Sequence, residues 1–224
     1  MTNRPPSPPR RLLPSCAAVV MAVSALTAVL TAGASPAAAA ESAVGQVSLL
    51  IGEARVVRKG GAVETLRRGS SILVGDRVET AANGHVHVRF IDNAAVSVRP
   101  ESVLEVQAYR YDAERPQNNE VRLHVEQGTS RSISGHATDA DKNRFRLNTP
   151  VAAIGVRGTD FIVQTSDLGM RATVAEGAIV VGALGAGCSK AGLGPCAGAQ
   201  TSVLSADMGK LMVEVNRGEQ VARL

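Results

Sequence analysis

The sequence predicts an all-β protein of short strands, arranged as a solenoid-like stack or as a two-sheet sandwich. Apolar and polar residues alternate over short runs, with Gly, Asn and Asp between the runs. Strand-like segments also recur on either side of single glycines. No apolar stripe with helical spacing follows residue 41, so the one helix that we expect is an N-terminal signal helix.

The N-terminus has the pattern of a secretory signal peptide. Residues 1–11 carry Arg4, Arg10 and Arg11 without an acid, residues 12–34 are uncharged, and residues 37–40 are all alanine. We expect cleavage near residue 40, which makes residues 1–40 the signal peptide and the mature protein periplasmic or secreted. The alternative is an uncleaved anchor over 12–34 in the inner membrane, because an uncharged segment of this length can span a bilayer.

The mature chain, residues 41–224, is predicted to be a single β domain. Its clearest strand signal is 85–91, His-Val-His-Val-Arg-Phe-Ile, which alternates strictly before a turn at Asp92-Asn93. Further strands are predicted at 95–99, 103–106, 121–125, 145–147, 161–164, 171–175, 178–181 and 211–215.

A strand–glycine–strand unit recurs irregularly along this domain. It is seen around Gly52, Gly128, Gly177 and Gly209. A glycine inside a strand pattern marks a bulge or a corner. Repeated corners favour the solenoid-like arrangement, and the sandwich is the alternative.

Charge and aromatic content argue against two binding functions. The whole chain has 24 basic and 20 acidic residues, and the leader holds three of the basic ones, so the mature chain carries a net charge of only +1. The chain has three Phe, two Tyr and no Trp. Nucleic-acid binding needs a concentrated basic face, and glycan or base stacking needs aromatic side chains, so neither is favoured.

Cys188 and Cys196 lie in a turn-rich insertion, residues 184–200. In an oxidising compartment this pair most simply forms a local disulfide. The spacing is not that of a redox Cys-x-x-Cys motif, and a zinc site would need two more ligands, so no metal or cofactor is predicted.

No residue pattern predicts a catalytic site, and we expect the protein not to be an enzyme. His85 and His87 share one strand face and could chelate a metal, but an exposed strand face is the simpler interpretation. Asp76 is expected to cap a turn. Arg157 and Asp160 are expected to fix a glycine-rich corner through an ion pair or backbone hydrogen bonds; alternatively, Arg157 binds a carboxylate of a partner.

Five segments, taken in order, resemble the FecR domain. They are the Gly-Asp-x-Val-x-Thr turn at 75–80, the aromatic-x-Asp-polar hairpin at 90–93, the Pro-x-Ser-x-Leu segment at 100–104, the hallmark at 149–161 and Val-x-Glu-Gly at 174–177. The resemblance covers about 44–181. Its motif residues, which we expect to be mainly structural, are Gly75, Asp76, Thr149, Pro150, Gly155, Arg157, Gly158, Thr159, Asp160, Glu176 and Gly177.

The resemblance implies a non-enzymatic, extracytoplasmic β module that mediates protein–protein contact or signalling in the cell envelope. Its partner is expected to be an envelope protein. Only eleven residues precede the apolar segment, fewer than the cytoplasmic sigma-factor-binding segment of well-known members, so we expect the domain rather than that pathway to carry over. The alternatives are a membrane-anchored signalling regulator and a structural or glycan-binding envelope protein.

Overall fold

The computed structural model describes residues 42–185, 187–196 and 200–224. The predicted signal peptide, with its cleavage site and the alternative anchor, lies outside these residues. Within them the chain forms β-strands and short 3-10 helices, so the predicted all-β fold class is confirmed. No helix in these ranges is long and apolar enough to cross a membrane.

The strands are short except for one that has fourteen residues. The first eight are β1 (Gly45–Ile51), β2 (Ala54–Val57), β3 (Val63–Thr65), β4 (Ser71–Ile72), β5 (Arg77–Thr80), β6 (His85–Phe90), β7 (Ala95–Val98) and β8 (Val103–Arg110). The others are β9 (Glu120–Ile133), β10 (Phe145–Asn148), β11 (Ala152–Val156), β12 (Asp160–Ser166), β13 (Gly169–Glu176), β14 (Ala178–Ala183), β15 (Thr201–Ser205) and β16 (Val213–Asn216). The 3-10 helices are Pro116–Asn118, His136–Thr138, Lys142–Arg144 and Ala206–Met208.

The strands pair into two open sheets that share β9. Sheet A has the order β4-β1-β6-β7-β9-β12-β13-β16. Sheet B has the order β3-β2-β5-β8-β9-β10-β11-β14-β15. These neighbours are antiparallel except for β9 and β10, which run parallel.

The strand β9 belongs to both sheets because it bends at Gly128. Residues 120–127 pair with β8 and β10 in sheet B, whereas residues 128–133 pair with β7 and β12 in sheet A. Gly128 has φ of 82°, and a Cβ there would lie 2.7 Å from the carbonyl oxygen of Glu101. Only glycine fits this bend without displacing the neighbouring backbone.

At each of the predicted strand–glycine–strand units the chain passes from one sheet to the other. The chain crosses from β1 to β2 at Gly52, within β9 at Gly128, from β13 to β14 at Gly177 and from β15 to β16 through Gly209. All four glycines have positive φ. Buried side chains from both sheets form one core cluster, in which Leu104, Leu123, Ile154 and Phe161 are among the largest members.

The predicted disulfide is present, and the segment that it closes packs on sheet B. Cys188 and Cys196 are bonded, and both are buried. They form a small cluster with Ala153 of β11. A Cβ on Gly155 would lie 2.6 Å from the backbone nitrogen of Pro195, so the small residues of β11 leave room for the Cys188–Cys196 loop.

Candidate functional site

The first end of the 149–161 hallmark is a tight turn between β10 and β11. The Thr149 hydroxyl accepts from the backbone N–H of Ala152 at 2.9 Å, and the Thr149 N–H donates to the Ala152 carbonyl at 2.8 Å. Thr149 is fully buried. This end of the motif therefore closes a turn and presents no side chain to solvent.

The second end of the hallmark is a corner that packs against the next corner of the chain. Gly158, between β11 and β12, lies against Gly177, between β13 and β14: a Cβ on Gly177 would meet the Gly158 carbonyl oxygen. Thr159 is held by Ser134, whose N–H donates to the Thr159 carbonyl at 2.9 Å. These contacts fix the path of the backbone through both corners.

Of the two expected ways in which Arg157 and Asp160 could fix the corner, the ion pair between them is not formed, whereas a backbone hydrogen bond of Arg157 is. Asp160 instead accepts from Arg131 of β9, with Arg131 Nε at 2.8 Å from Asp160 Oδ1. The reason is register, since Asp160 lies on β12 beside residues 131–133 of β9. Arg157 contributes its backbone N–H, which donates to the Ala178 carbonyl at 2.9 Å, while its exposed side chain has no hydrogen-bond or ion-pair partner in the described part of the chain.

The corner borders a cleft of about 470 Å³. Its wall includes Gly158, Thr159 and Glu176, together with the 134–139 segment. The exposed Glu176 side chain, like that of Arg157, has no hydrogen-bond or ion-pair partner among the residues that the structure describes. Two charged residues of the family motif are thus free to contact another molecule: Glu176 in the cleft wall, and Arg157, which precedes the cleft residue Gly158 in the chain.

Gly75 and Asp76 lie in the turn that leads into β5, as expected for a capping residue. The buried Asp76 carboxylate accepts from the Leu73 N–H at 2.7 Å and from Arg58 Nη1 at 2.6 Å. Gly75 has φ of 88° and lines a different cleft, described next. The role of Asp76 in this arrangement is to hold the turn.

The second cleft lies on the outer face of sheet B, has a volume of about 610 Å³, and is called the sheet B cleft below. Its lining holds five basic and two acidic residues. They are Arg58, Lys59, Arg77, Arg122, Lys190, Glu105 and Glu126. Lys190 belongs to the Cys188–Cys196 loop, which therefore forms one wall of the cleft.

Three of the polar residues at this face lie close enough together to be considered as metal ligands. Glu105, His124 and Glu126 bring one ligand atom each within 4.8 Å of one another. Two of them are already engaged: Arg77 donates to both oxygens of Glu126 at 2.9 and 3.0 Å, and Gln107 donates to Glu105 at 3.0 Å. The Glu126 side chain raises the pKa of Arg77 through these hydrogen bonds.

Four side chains of β9 and β10 form a square on this face, which we call the polar quartet: Arg122, His124, Arg146 and Asn148. The parallel register places Arg122 beside Arg146 and His124 beside Asn148. Arg146 and Asn148 are buried under the Cys188–Cys196 loop, where Arg146 Nε donates to the Gly192 carbonyl at 3.3 Å. Burial lowers the pKa of Arg146, and the neighbouring positive charge of Arg122 lowers it further.

The polar quartet was not recognised from the sequence. Its only signal is that two strand-like segments, 121–125 and 145–148, both place polar residues at alternate positions. That alternation predicts outward-facing side chains in each strand. It carries no information that the two strands are parallel neighbours in this register.

His85 and His87 share the outer face of sheet A, as predicted, with ring centroids 4.6 Å apart. Burial lowers the pKa of both imidazoles, and the positive charge of Arg99 lowers both further. His87 Nδ1 lies 3.3 Å from the Ser97 hydroxyl. The described residues bring no carboxylate or thiol to this pair that would complete a group of three metal ligands.

The fold and these surfaces define a class of protein: an all-β module whose motif residues build turns and corners and leave charged side chains exposed. Residues 76–180 match the family described as FecR protein. This part of the chain is a FecR domain. The family supports a role of the signalling-regulator type and an envelope location, with which the disulfide is compatible.

The family match begins later than the resemblance over 44–181. Residues 45–75 are nevertheless integral to the same sheets, because β1 pairs with β6 and β2 pairs with β5. The described β domain therefore extends beyond the matched residues at its N-terminal side.

Solved structures share local likeness with the chain. One, described as a cell surface anchoring domain, is 30% identical over 29% of this chain and 84% of its own length, with a TM-score of 0.28. Two crystal structures of a protein from Parabacteroides distasonis, assigned provisionally as an anti-sigma factor, are 16% identical, with a TM-score of 0.45. The alignment covers 66% of this chain and 57% of theirs. No curated protein matches.

Proposed function

We propose that this protein is a non-enzymatic, extracytoplasmic FecR-type module that binds an envelope protein through the hallmark corner. The support is the family match together with the state of Arg157 and Glu176. Both belong to the family motif, both are exposed, and neither has an ion-pair partner among the described residues. A structural motif needs neither charge at these positions, whereas a contact with a partner does.

The corner also has the physical properties of a contact surface. The backbone at Gly158 and Gly177 is fixed by mutual packing, so little conformational entropy is lost when a partner binds. An exposed arginine on a rigid backbone can donate two parallel hydrogen bonds to a carboxylate. Glu176, in the wall of the cleft that Gly158 and Thr159 border, offers an acceptor for a basic group.

Affinity capture from an envelope extract tests the proposal. We expect the full chain to retain a specific protein, and Arg157→Glu and Glu176→Arg each to reduce its recovery by about tenfold, the change that corresponds to ~1.4 kcal/mol. Arg68→Glu is the matched control for Arg157→Glu: it makes the same charge change on the exposed turn between β3 and β4, which lines neither cleft.

The control separates the effect of the corner from the effect of net charge. Equal loss in Arg68→Glu would show that net charge, not the corner, determines recovery. Full recovery with both corner variants would reject the corner as the contact surface, even if a partner is captured.

We further propose that the mature protein is released from its leader and is not anchored. Sequencing the N-terminus of the protein isolated from cells distinguishes the two forms. A start near Glu41 is expected, and an intact segment over 12–34 would instead support a membrane-anchored regulator.

A further inference from the structure

The polar quartet contains one buried charge without a counter-ion, that of Arg146. Arg146 is only 2% exposed, and its guanidinium contacts a carbonyl oxygen and the sulfur of Cys196. No carboxylate in the described residues pairs with it. Its neighbour across the strands is another cation, Arg122, whose own carboxylate partner is Glu120. A buried charge without a counter-ion is costly, so this arrangement favours an added anion.

The other members of the quartet carry buried polar atoms without a partner. These atoms are Arg122 Nε, His124 Nε2 and Asn148 Oδ1. Asn148 is fully buried, and its amide orientation is set by its Nδ2, which donates to the Lys190 carbonyl at 3.0 Å. Asn148 Oδ1 is therefore an acceptor that lacks a donor.

His124 provides a second acceptor beside the first. Its Nδ1 lies 3.4 Å from the Glu105 carboxylate, which favours the tautomer with the proton on Nδ1. In that tautomer the buried Nε2 carries a free lone pair. The quartet thus presents a cationic half, Arg122 and Arg146, next to an acceptor half, His124 and Asn148.

We propose that the polar quartet binds a carboxylate with an N–H group on the adjacent carbon, the chemistry of a peptide C-terminus or of a free α-amino acid. The carboxylate lies against Arg122 in the field of both arginines, and the N–H group faces Asn148 Oδ1 and His124 Nε2. The inference concerns a surface distinct from the hallmark corner and does not depend on the function proposed for that corner.

The sheet B cleft reaches the quartet at Arg122. Arg122 lines the cleft, and its side chain keeps 26% of its surface exposed. Gln107 and Lys190, which flank Asn148, line it as well. The cleft, at about 610 Å³, has room for the residues that precede a C-terminal carboxylate.

A divalent cation fits this place less well than an anion. The nearest ligand group, Glu105, His124 and Glu126, would have to lose the three hydrogen bonds between Arg77 and Glu126. The positive charges of the surrounding arginines would also repel the bound cation. The unpaired donors and acceptors of the quartet are not used by such an ion.

Two-dimensional NMR titration of the full chain tests the proposal, with the amide signals of residues 120–124 and 145–148 as the readout. The probes are N-acetyl-Ala-Ala as the free acid, the same peptide as its C-terminal amide, free L-alanine and inorganic phosphate at matched ionic strength. We expect the free acid to shift these signals and the amide to bind at least about tenfold more weakly, because it lacks the charge-assisted contact.

The other two probes identify the source of the ligand chemistry. Binding of the peptide acid with weaker binding of alanine assigns the site to a peptide C-terminus, and the reverse order assigns it to a free amino acid. Equal binding of acid and amide, equal binding of phosphate and the acid, or no shift at these residues with any probe would overturn the proposal.

Variants locate the site. Arg122→Gln should weaken binding of the acid by about tenfold. Arg122→Lys keeps the charge but not Nε, so its affinity for the acid should lie between those of wild type and Arg122→Gln. Arg110→Gln is the control, because Arg110 pairs with the same Glu120 as Arg122 does but lies outside the cleft lining. Unchanged binding in Arg122→Gln would contradict the assignment.

Discussion

Two buried carboxylates, those of Asp76 and Asp92, stabilise turns of this domain by accepting hydrogen bonds from backbone N–H groups. Asp92 is 1% exposed and accepts from the Tyr109 hydroxyl at 2.5 Å and from the backbone N–H groups of Ala94 and Ala137 at 3.1 Å. One side chain thereby ties the β6–β7 hairpin to β8 and to the 136–138 helix. Burial raises the pKa of Tyr109, and the Asp92 charge beside it adds to the rise.

The hydrogen bond between Tyr109 and Asp92 predicts a stability change. Tyr109→Phe leaves the buried Asp92 with one donor fewer and should lower the free energy of unfolding by about 1–3 kcal/mol at pH 7. Urea denaturation measures it. Tyr111→Phe, which removes a hydroxyl outside this contact, should change stability by less than about 0.5 kcal/mol.

The same tyrosine predicts a dependence on alkaline pH. An unfolded tyrosine ionises near its ordinary pKa of about 10, while the folded Tyr109 stays protonated to higher pH. The unfolded state then binds fewer protons, so stability falls as pH rises above about 10. The difference in denaturation midpoint between wild type and Tyr109→Phe should therefore shrink as pH rises from 8 to 11. A constant difference would contradict the prediction.

The two corner glycines differ in what a side chain would meet. At Gly177 a Cβ collides with the Gly158 carbonyl, so Gly177→Ala should cost at least about 3 kcal/mol. At Gly158 the nearest atom is 3.8 Å away, so Gly158→Ala should cost only the positive-φ penalty, about 1–2 kcal/mol. Equal losses in urea denaturation would show that the corners do not pack as described.

At the scale of elements, the Cys188–Cys196 loop and β11 are fitted to each other. The loop covers Ala153 and Gly155, and it buries Arg146 and Asn148 from the neighbouring strand. The cysteines are only eight positions apart, so their bond fixes this local cover more than it constrains the whole chain.

Coupling between the loop and β11 can be measured with a double-mutant cycle. Replacing both cysteines by serine should cost about 2–3 kcal/mol on the chain-entropy model. Gly155→Ala should push Pro195 away and should cost about 1 kcal/mol less in the disulfide-free protein, because the loop can then move. Additive free energies of unfolding would contradict a direct contact.

Strands and corners that a local sequence pattern determines could be predicted from the sequence. Features that depend on which strands pair could not. The alternation at 85–91 predicted β6, and the glycine units predicted the corners. In contrast, β9 was predicted only over 121–125, because the polar residues after Gly128 interrupt the apolar pattern that identifies a strand. The partner of Asp160 and the polar quartet depend on strand register, which a single sequence does not specify.

For the whole molecule, the two sheets depend on each other for their core. The N-terminal strands before the matched FecR residues pair within both sheets, since β1 joins sheet A and β2 joins sheet B. The buried side chains form one main cluster that draws on both. We therefore expect one cooperative unfolding transition for residues 42–224, with coincident fluorescence and circular dichroism curves.

The bend in β9 has a consequence for the rates at which backbone amides exchange with solvent. Both halves of this strand have neighbours on each side, one pair in each sheet, whereas β3 and β15 lie at open edges. Local fraying can release an edge strand, but releasing β9 requires both sheets to open together. Hydrogen–deuterium exchange at 120–133 should therefore report the global free energy of unfolding, so that one strand acts as an internal gauge for the stability of the entire domain.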